Sequence, residues 1–367
     1  MTSRGPDFQR IFISDCEGPI SRNDNAFELA SHFIPDGSHL FTLISRYDDI
    51  LADIVKREGY KAGDTLKLIL PFLKAYSVTD EAMTDFSDRN ILLMPNAKEM
   101  LKFVKGLMPT YVVSTSYEQY MRALCSILAF PIENVYCTFL NMDKCDIIEE
   151  EELQLKRLAS EMVKLPMLKI PKSIHSLKDL SKTTQRVLQR LDEIFWKEIS
   201  SMRIGRMLRE VNPVGGSEKA AAVENIVAKS GAKLQDVMYV GDSITDVSAF
   251  QLVRAAGGLT VSFNGNGYAV REAEVAVQSK DAVVTAVLAN MFSVLEKPRF
   301  IALIREWAPL TIKKLNLLGS LKRHFLRACR REFPKVALVT EHNIGKLMRE
   351  SVEFRKNVRG EAVGKLG

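Results

Sequence analysis

The stretch Ile11-Phe12-Ile13-Ser14-Asp15-Cys16-Glu17-Gly18 constrains the fold more than any other part of the chain. An apolar run leads straight into two carboxylates with one residue between them, then a glycine. In a buried strand successive side chains point to opposite faces, so Asp15 and Glu17 share one face and Cys16 takes the other as a core thiol. Open α/β sheets bind ligands beyond the C-terminal ends of their strands, which makes this acidic pair a candidate site. Gly18 lets the chain turn sharply away. The bland alternative is a strand end whose acids face water.

The remainder of the chain supports a sheet. After the strand at 10–14, apolar residues recur at helical spacing from about Asn25 to Asp88. A helix is expected over Ala97–Lys105. Strands are expected at Tyr111–Val113, which ends in the hydroxyls of Ser114, Thr115 and Ser116, and at Val135–Leu140. The strand signal then disappears until about Leu208, with helices expected at 150–164 and 176–200 around Pro166 and Pro171. It returns at Val237–Val240, Leu259–Phe263 and Val275–Val277, after a helix over Lys219–Ser230. Strands alternating with helices predict an α/β fold with a Rossmann-like parallel sheet. The expected parts are a core of 1–22, 92–140 and 211–292, a helical insertion at 23–91, a second at 141–210, and a basic helical C-terminal region at 293–367.

Composition excludes several classes. Hydrophobic residues make up 46% and charged residues 26% of the 367 residues, as in globular proteins. No apolar run is long enough to span a bilayer, and the N-terminus carries no secretory pattern. Five scattered cysteines argue for reduced thiols in a cytoplasmic protein, not for disulfides or zinc. The net charge is +6, yet from Val294 onward 17 Lys/Arg face 7 Asp/Glu. The basic character therefore belongs to the tail.

On one edge of a parallel sheet would meet Asp15 with Glu17, Ser114 with Thr115, Lys219, and Asp242 with Asp246. Carboxylates held that closely repel unless a cation sits among them. Hard oxygen ligands suit Mg²⁺, and a lysine with hydroxyls suits phosphate oxygens. The chemistry suggested is phosphoryl transfer with a carboxylate nucleophile.

In these residues the chain resembles the haloacid dehalogenase superfamily of phosphohydrolases. The four family motifs correspond to Asp15-Cys16-Glu17-Gly18, Val112-Val113-Ser114, Gly216-Ser217-Glu218-Lys219, and Gly241-Asp242-Ser243-Ile244-Thr245-Asp246. The resemblance implies that Asp15 is the nucleophile and Glu17 the acid and base. Ser114, Thr115 and Lys219 would hold phosphate. Mg²⁺ would bind Asp15, the carbonyl of Glu17, Asp242 and Asp246. Most phosphatases of the family have aspartate where Glu17 stands; an enolase-phosphatase branch is similar in having glutamate. The insertion at 23–91 occupies the place of a cap in phosphoserine-phosphatase-like members, with Arg46, Tyr47 and Asp49 as candidate substrate contacts. The second insertion occupies the family's other cap position. A Mg²⁺-dependent phosphatase acting on a small phosphorylated metabolite is the function implied. The alternative is a catalytically weak, regulatory or complex-associated protein.

The whole chain also resembles an archaeal branch of the superfamily named for energy-converting hydrogenase A subunit R, in Asp15-Cys16-Glu17-Gly18-Pro19-Ile20-Ser21 and in Asn23-Asp24-Asn25-Ala26-Phe27-Glu28-Leu29-Ala30. Clustered cysteines for iron–sulfur ligation are missing from the sequence. In the tail, Phe300, Trp307, Phe325 and Phe333 are spaced like a core face, without the interleaving of aromatic and basic residues that nucleic-acid binding would use. A packed helical extension or a homodimer contact is expected there.

Overall fold

A computed structural model describes residues 10–169 and 176–366. Pro171 and the leading residues Met1–Pro6 lie outside them. The first strand forms where the apolar run predicts it. Ile11, Phe12 and Ile13 are fully buried, because helices cover both faces of the sheet.

The described residues form one seven-stranded sheet. Its strands are β1 (Ile11–Ser14), β2 (Thr110–Tyr117), β3 (Val135–Thr138), β4 (Val237–Gly241), β5 (Leu259–Phe263), β6 (Val275–Gln278) and β7 (Lys335–Leu338). The order is β3-β2-β1-β4-β5-β6-β7, and β1 to β6 run parallel. The chain thus begins in the middle, winds outward through β2 and β3, then returns to the other side of β1 with β4. That reversal between β1 and β4 is a topological switch point, where the crossover connections diverge and leave a crevice. Ser14 is paired with Val240, so Asp15 and Gly241 leave the sheet side by side.

Alternation sorts the core. Phe12, Val112, Met238 and Val240 pack on one face with Met100, Leu101, Tyr120 and the apolar helix Val283–Val294. Ile11, Ile13, Val113 and Tyr239 pack on the other with the helices Ser217–Ser230 and Val247–Ala255. A third cluster belongs to neither face. It joins residues of 26–83 with residues of 140–208, so the two helical insertions share one apolar core. Val363 and Leu366, near the C-terminus, belong to that same core.

The tail corrects one expectation. It is not wholly helical: β7 adds an antiparallel edge strand beside β6. This strand has four residues and follows Pro334, too short a pattern to stand out from flanking helices. The aromatic spacing does mark a packed face. Phe300 and Phe325 are buried, and Trp307, Phe325 and Phe333 have ring centroids about 6 Å apart. The chain ends in the helix Ile344–Arg359 and a short turn over Val363–Lys365.

Candidate active site

At the switch point, Asp15 follows β1 and Asp242 follows β4. Asp15 is 4% exposed; its backbone N–H donates to the Val240 carbonyl at 2.7 Å, which ties it to the neighbouring strand. Its Oδ1 accepts from the Cys16 N–H at 2.6 Å. Its Oδ2 lies 2.7 Å from Lys219 Nζ. Lys219 stands in the first turn of its helix, is fully buried, and reaches Asp246 Oδ1 at 2.7 Å as well. Burial draws the lysine down, but Asp15 and Asp246 outweigh it and hold the ammonium above its ordinary value.

Asp246 spends both oxygens on the scaffold. Oδ1 also accepts from the Tyr239 hydroxyl at 2.8 Å, and Oδ2 accepts from the backbone N–H groups of Asp242 and Ser243 at 2.9 and 3.1 Å. These bonds shape the turn that presents Asp242. Carboxylate oxygens of Asp15, Asp242 and Asp246 lie within 4.8 Å of one another. Such a donor set, hard oxygens in a buried cleft, fits a divalent cation. The Glu17 carboxylate is not in this group; it accepts from the Asn25 N–H at 2.8 Å. Burial first, then Asp24, push Glu17 up to about 8 against the pull of Arg359. Burial likewise pushes Asp15 up to about 7, with Lys219 opposing and Asp246 and Asp242 adding to it. Burial thus favours the protonated form of the Glu17 carboxyl.

Gly18 permits the approach of the two loops. Its φ is +101°, and a Cβ there would stand 2.1 Å from Asp242 Oδ2. Gly63, at φ +96°, plays a similar part on the helical side, where a Cβ would meet Thr115 Cγ2 at 3.0 Å.

A cavity of about 90 Å³ opens over the acidic cluster. Asp15, Glu17, Asp242 and Thr115 form its floor. Phe41, Asp48, Asp49 and Thr65 come from the helical side. Thr115, not Ser114, faces this space. β2 runs on to Tyr117, with a register shift against β3 between Val113 and Tyr117. Ser114 consequently turns inward to Ser116, whose N–H and hydroxyl it meets at 3.2 and 3.1 Å, while the buried Thr115 Oγ1 has no hydrogen-bond partner. Arg46 is absent from the cavity wall; its guanidinium donates to the Leu168 carbonyl at 3.2 Å and braces the two insertions. Tyr47 likewise turns away, its hydroxyl donating to Asp192 at 2.5 Å.

The cations at the cavity come from the C-terminal helix instead. Arg355 and Arg359, each with 3% side-chain exposure, both meet Asp242 Oδ2. Arg359 does so at 3.0 Å and also donates to the carbonyls of Arg22 and Asn23. Leu347, Ser351 and Arg355 recur every fourth residue as a buried stripe, and Arg359 continues the spacing with its side chain covered. That spacing was the available signal, and the count of basic residues in the tail obscured it.

An acidic cluster at the switch point of such a sheet, with a buried lysine beside it, is a donor set that suits a divalent cation and an anionic group. Residues 99–291, more than half of the chain, match the family of haloacid dehalogenase-like hydrolases. The chain belongs to that family. The matched span contains Thr115, Lys219, Asp242 and Asp246 and begins after Asp15. Among solved structures, the chain is similar to gene product AF1437 from Archaeoglobus fulgidus, with 26% identity over 98% of this chain and 99% of that one and a TM-score of 0.80. Two structures of phosphoserine phosphatase are similar at a lower level. The apo form is 13% identical over 78% of this chain and 100% of its own, with a TM-score of 0.41. A phospho-aspartyl intermediate analogue is 16% identical over 75% and 96%, with a TM-score of 0.43. No curated protein matches the chain. Among the described residues no helix is long and apolar enough to cross a membrane.

Proposed function

We propose that the protein is a Mg²⁺-dependent phosphatase that hydrolyses a small phosphorylated metabolite through an aspartyl-phosphate on Asp15. The observation that carries this reading is the convergence of Asp15, Lys219, Asp242 and Asp246 at one strand edge, with carboxylate oxygens within 4.8 Å. Family membership supports hydrolysis.

In this reading Mg²⁺ is held by Asp15 and Asp242 and, when bound, offsets phosphate charge. Asp246 positions the Asp242 turn and Lys219, because its own oxygens are engaged. Asp15 attacks phosphorus with one carboxylate oxygen. The bond from phosphorus to the leaving oxygen breaks, and Glu17 gives that oxygen its proton. A water then attacks the aspartyl-phosphate at phosphorus, Glu17 takes the proton of that water, and Asp15 is regenerated as phosphate leaves. Lys219 and Thr115 receive phosphate oxygens, with Ser114 shaping the strand end behind Thr115. The joint helical body of 23–91 and the described residues of 141–210 serves as a cap that excludes water.

p-Nitrophenyl phosphate tests this. Hydrolysis is expected with Mg²⁺, is lost with EDTA, and falls by at least about 1,000-fold in Asp15→Asn. Equal rates in Asp15→Asn would refute the nucleophile. A second reading, a catalytically weak regulatory or complex-associated protein, has one observation in its favour: Asp242 already meets two guanidinium groups. Failure to hydrolyse any phosphoester with Mg²⁺ present would support it.

A further inference from the structure

Three carboxylates at the site, Asp15, Asp242 and Asp246, face three side-chain cations, Lys219, Arg355 and Arg359. Asp24, which lines the same cavity, acts on both arginines as well. A divalent cation beside Asp242 would compete with the arginines for their shared carboxylate and weaken their hold on it. The guanidinium groups would then have donors to offer an anion in the cavity. Lys219 lies on the Asp15 and Asp246 side. The two arginines meet Asp242 instead, and Arg359 is the cation that acts on the carboxyl of Glu17. Glu17 is the group that would protonate the leaving oxygen, so the arginines border the part of the substrate that leaves. Arg355 Nε is buried without a hydrogen-bond partner, an unspent donor on a side chain that lines the cavity.

We propose that Arg355 and Arg359 bind a second anionic group, a carboxylate or a further phosphate, on the leaving side of the phosphoester. The C-terminal helix is then a specificity element of the active site. This rests on the phosphatase reading for the position of the leaving group. A guanidinium fork suits either anion, since both offer two oxygens in one plane. Neither arginine falls in the span matched by the family, so the element lies outside that matched core.

The test is calorimetric and uses the full chain with Mg²⁺. Its probes are three phosphonates that cannot be hydrolysed: phenylphosphonate, 4-carboxyphenylphosphonate and 1,4-phenylenediphosphonate. The wild-type protein is expected to bind one or both of the doubly anionic probes at least about tenfold more tightly than phenylphosphonate. Which of the two gains distinguishes carboxylate from phosphate. Arg355→Gln and Arg359→Gln should each shrink that ratio toward one. Should the glutamine variants not fold, Arg355→Lys and Arg359→Lys are read instead; a reduced ratio supports the proposal and an unchanged one overturns it. Equal affinity of the wild-type protein for all three probes overturns it too. Turnover of phenyl phosphate is measured alongside. Turnover without anion preference refutes the arginine role and leaves the phosphatase reading standing, whereas preference without turnover does the reverse.

Discussion

Lys219 is the residue on which the site's charge balance turns. It is fully buried between two carboxylates, each 2.7 Å away. Lys219→Met leaves Asp15 and Asp246 facing each other without a counter-charge, a loss of about 3–5 kcal/mol. Urea denaturation of the metal-free protein should show it; a change below about 1 kcal/mol would contradict the arrangement. Gly18→Ala should also fail, since its Cβ falls on Asp242 Oδ2. The expected signs are a lower melting temperature and weakened Mg²⁺ binding together. Asp48 offers a pH test away from the cation cluster. It is 4% exposed, and burial, with Asp64 adding to it, pushes it up to about 6. The native state then holds a proton that the unfolded chain releases from about pH 4, so stability falls as pH rises from 4 to 6. Asp48→Asn removes that fall and should gain up to about 3 kcal/mol on the wild type above pH 6. A constant difference across that range would contradict it. At this scale the sequence was partly legible. Asp15, Lys219, Asp242 and Asp246 could be named because each stands at a strand end or helix start that a parallel sheet brings to one edge. Strand alternation favours Ser114 over Thr115, and the structure reverses that choice because an irregularity in β2 resets the alternation.

The element that most changes the reading is the C-terminal helix. Its stripe of Leu347, Ser351, Arg355 and Arg359 has the period of a buried helical face, yet two of its four members are arginines, residues that ordinarily mark an exposed one. Their tertiary partners, Asp242 for both and the carbonyls of Arg22 and Asn23 for Arg359, explain their burial. The short turn beyond it anchors Val363 and Leu366 in the core of the helical insertions. Val363→Asp should loosen this anchor. Hydrogen exchange over residues 344–366 is then expected to quicken by tenfold or more, with exchange in β4 unchanged. Equal exchange in the variant would mean that the tail is held by its arginines alone. β7 escaped the sequence for a plainer reason: four residues after a proline carry too little pattern to outweigh the helices around them.

For the whole molecule, a parallel sheet with helices on its faces followed from the alternation of apolar runs and helices, whereas the strand order and the switch point between β1 and β4 come from the structure. What the pattern could not convey is that two insertions, separated in the chain by the segment that carries β2 and β3, build one apolar body. Their amphipathic faces show that each must bury a stripe, not against what. Because they share that core, the helices Thr65–Ala75 and Glu149–Met162 should open as one unit. Native-state hydrogen exchange would give them the same opening free energy, and distinct values would divide the body in two. Covalent chemistry at Asp15 is within reach of a single measurement. The protein is mixed with Mg²⁺ and a phosphoester that it hydrolyses, quenched in acid within the first turnover, and digested for mass spectrometry. A phosphoryl group on the Asp15 side chain is the predicted result. Steady turnover with Asp15 unmodified, or with the phosphoryl group on another residue, would contradict it.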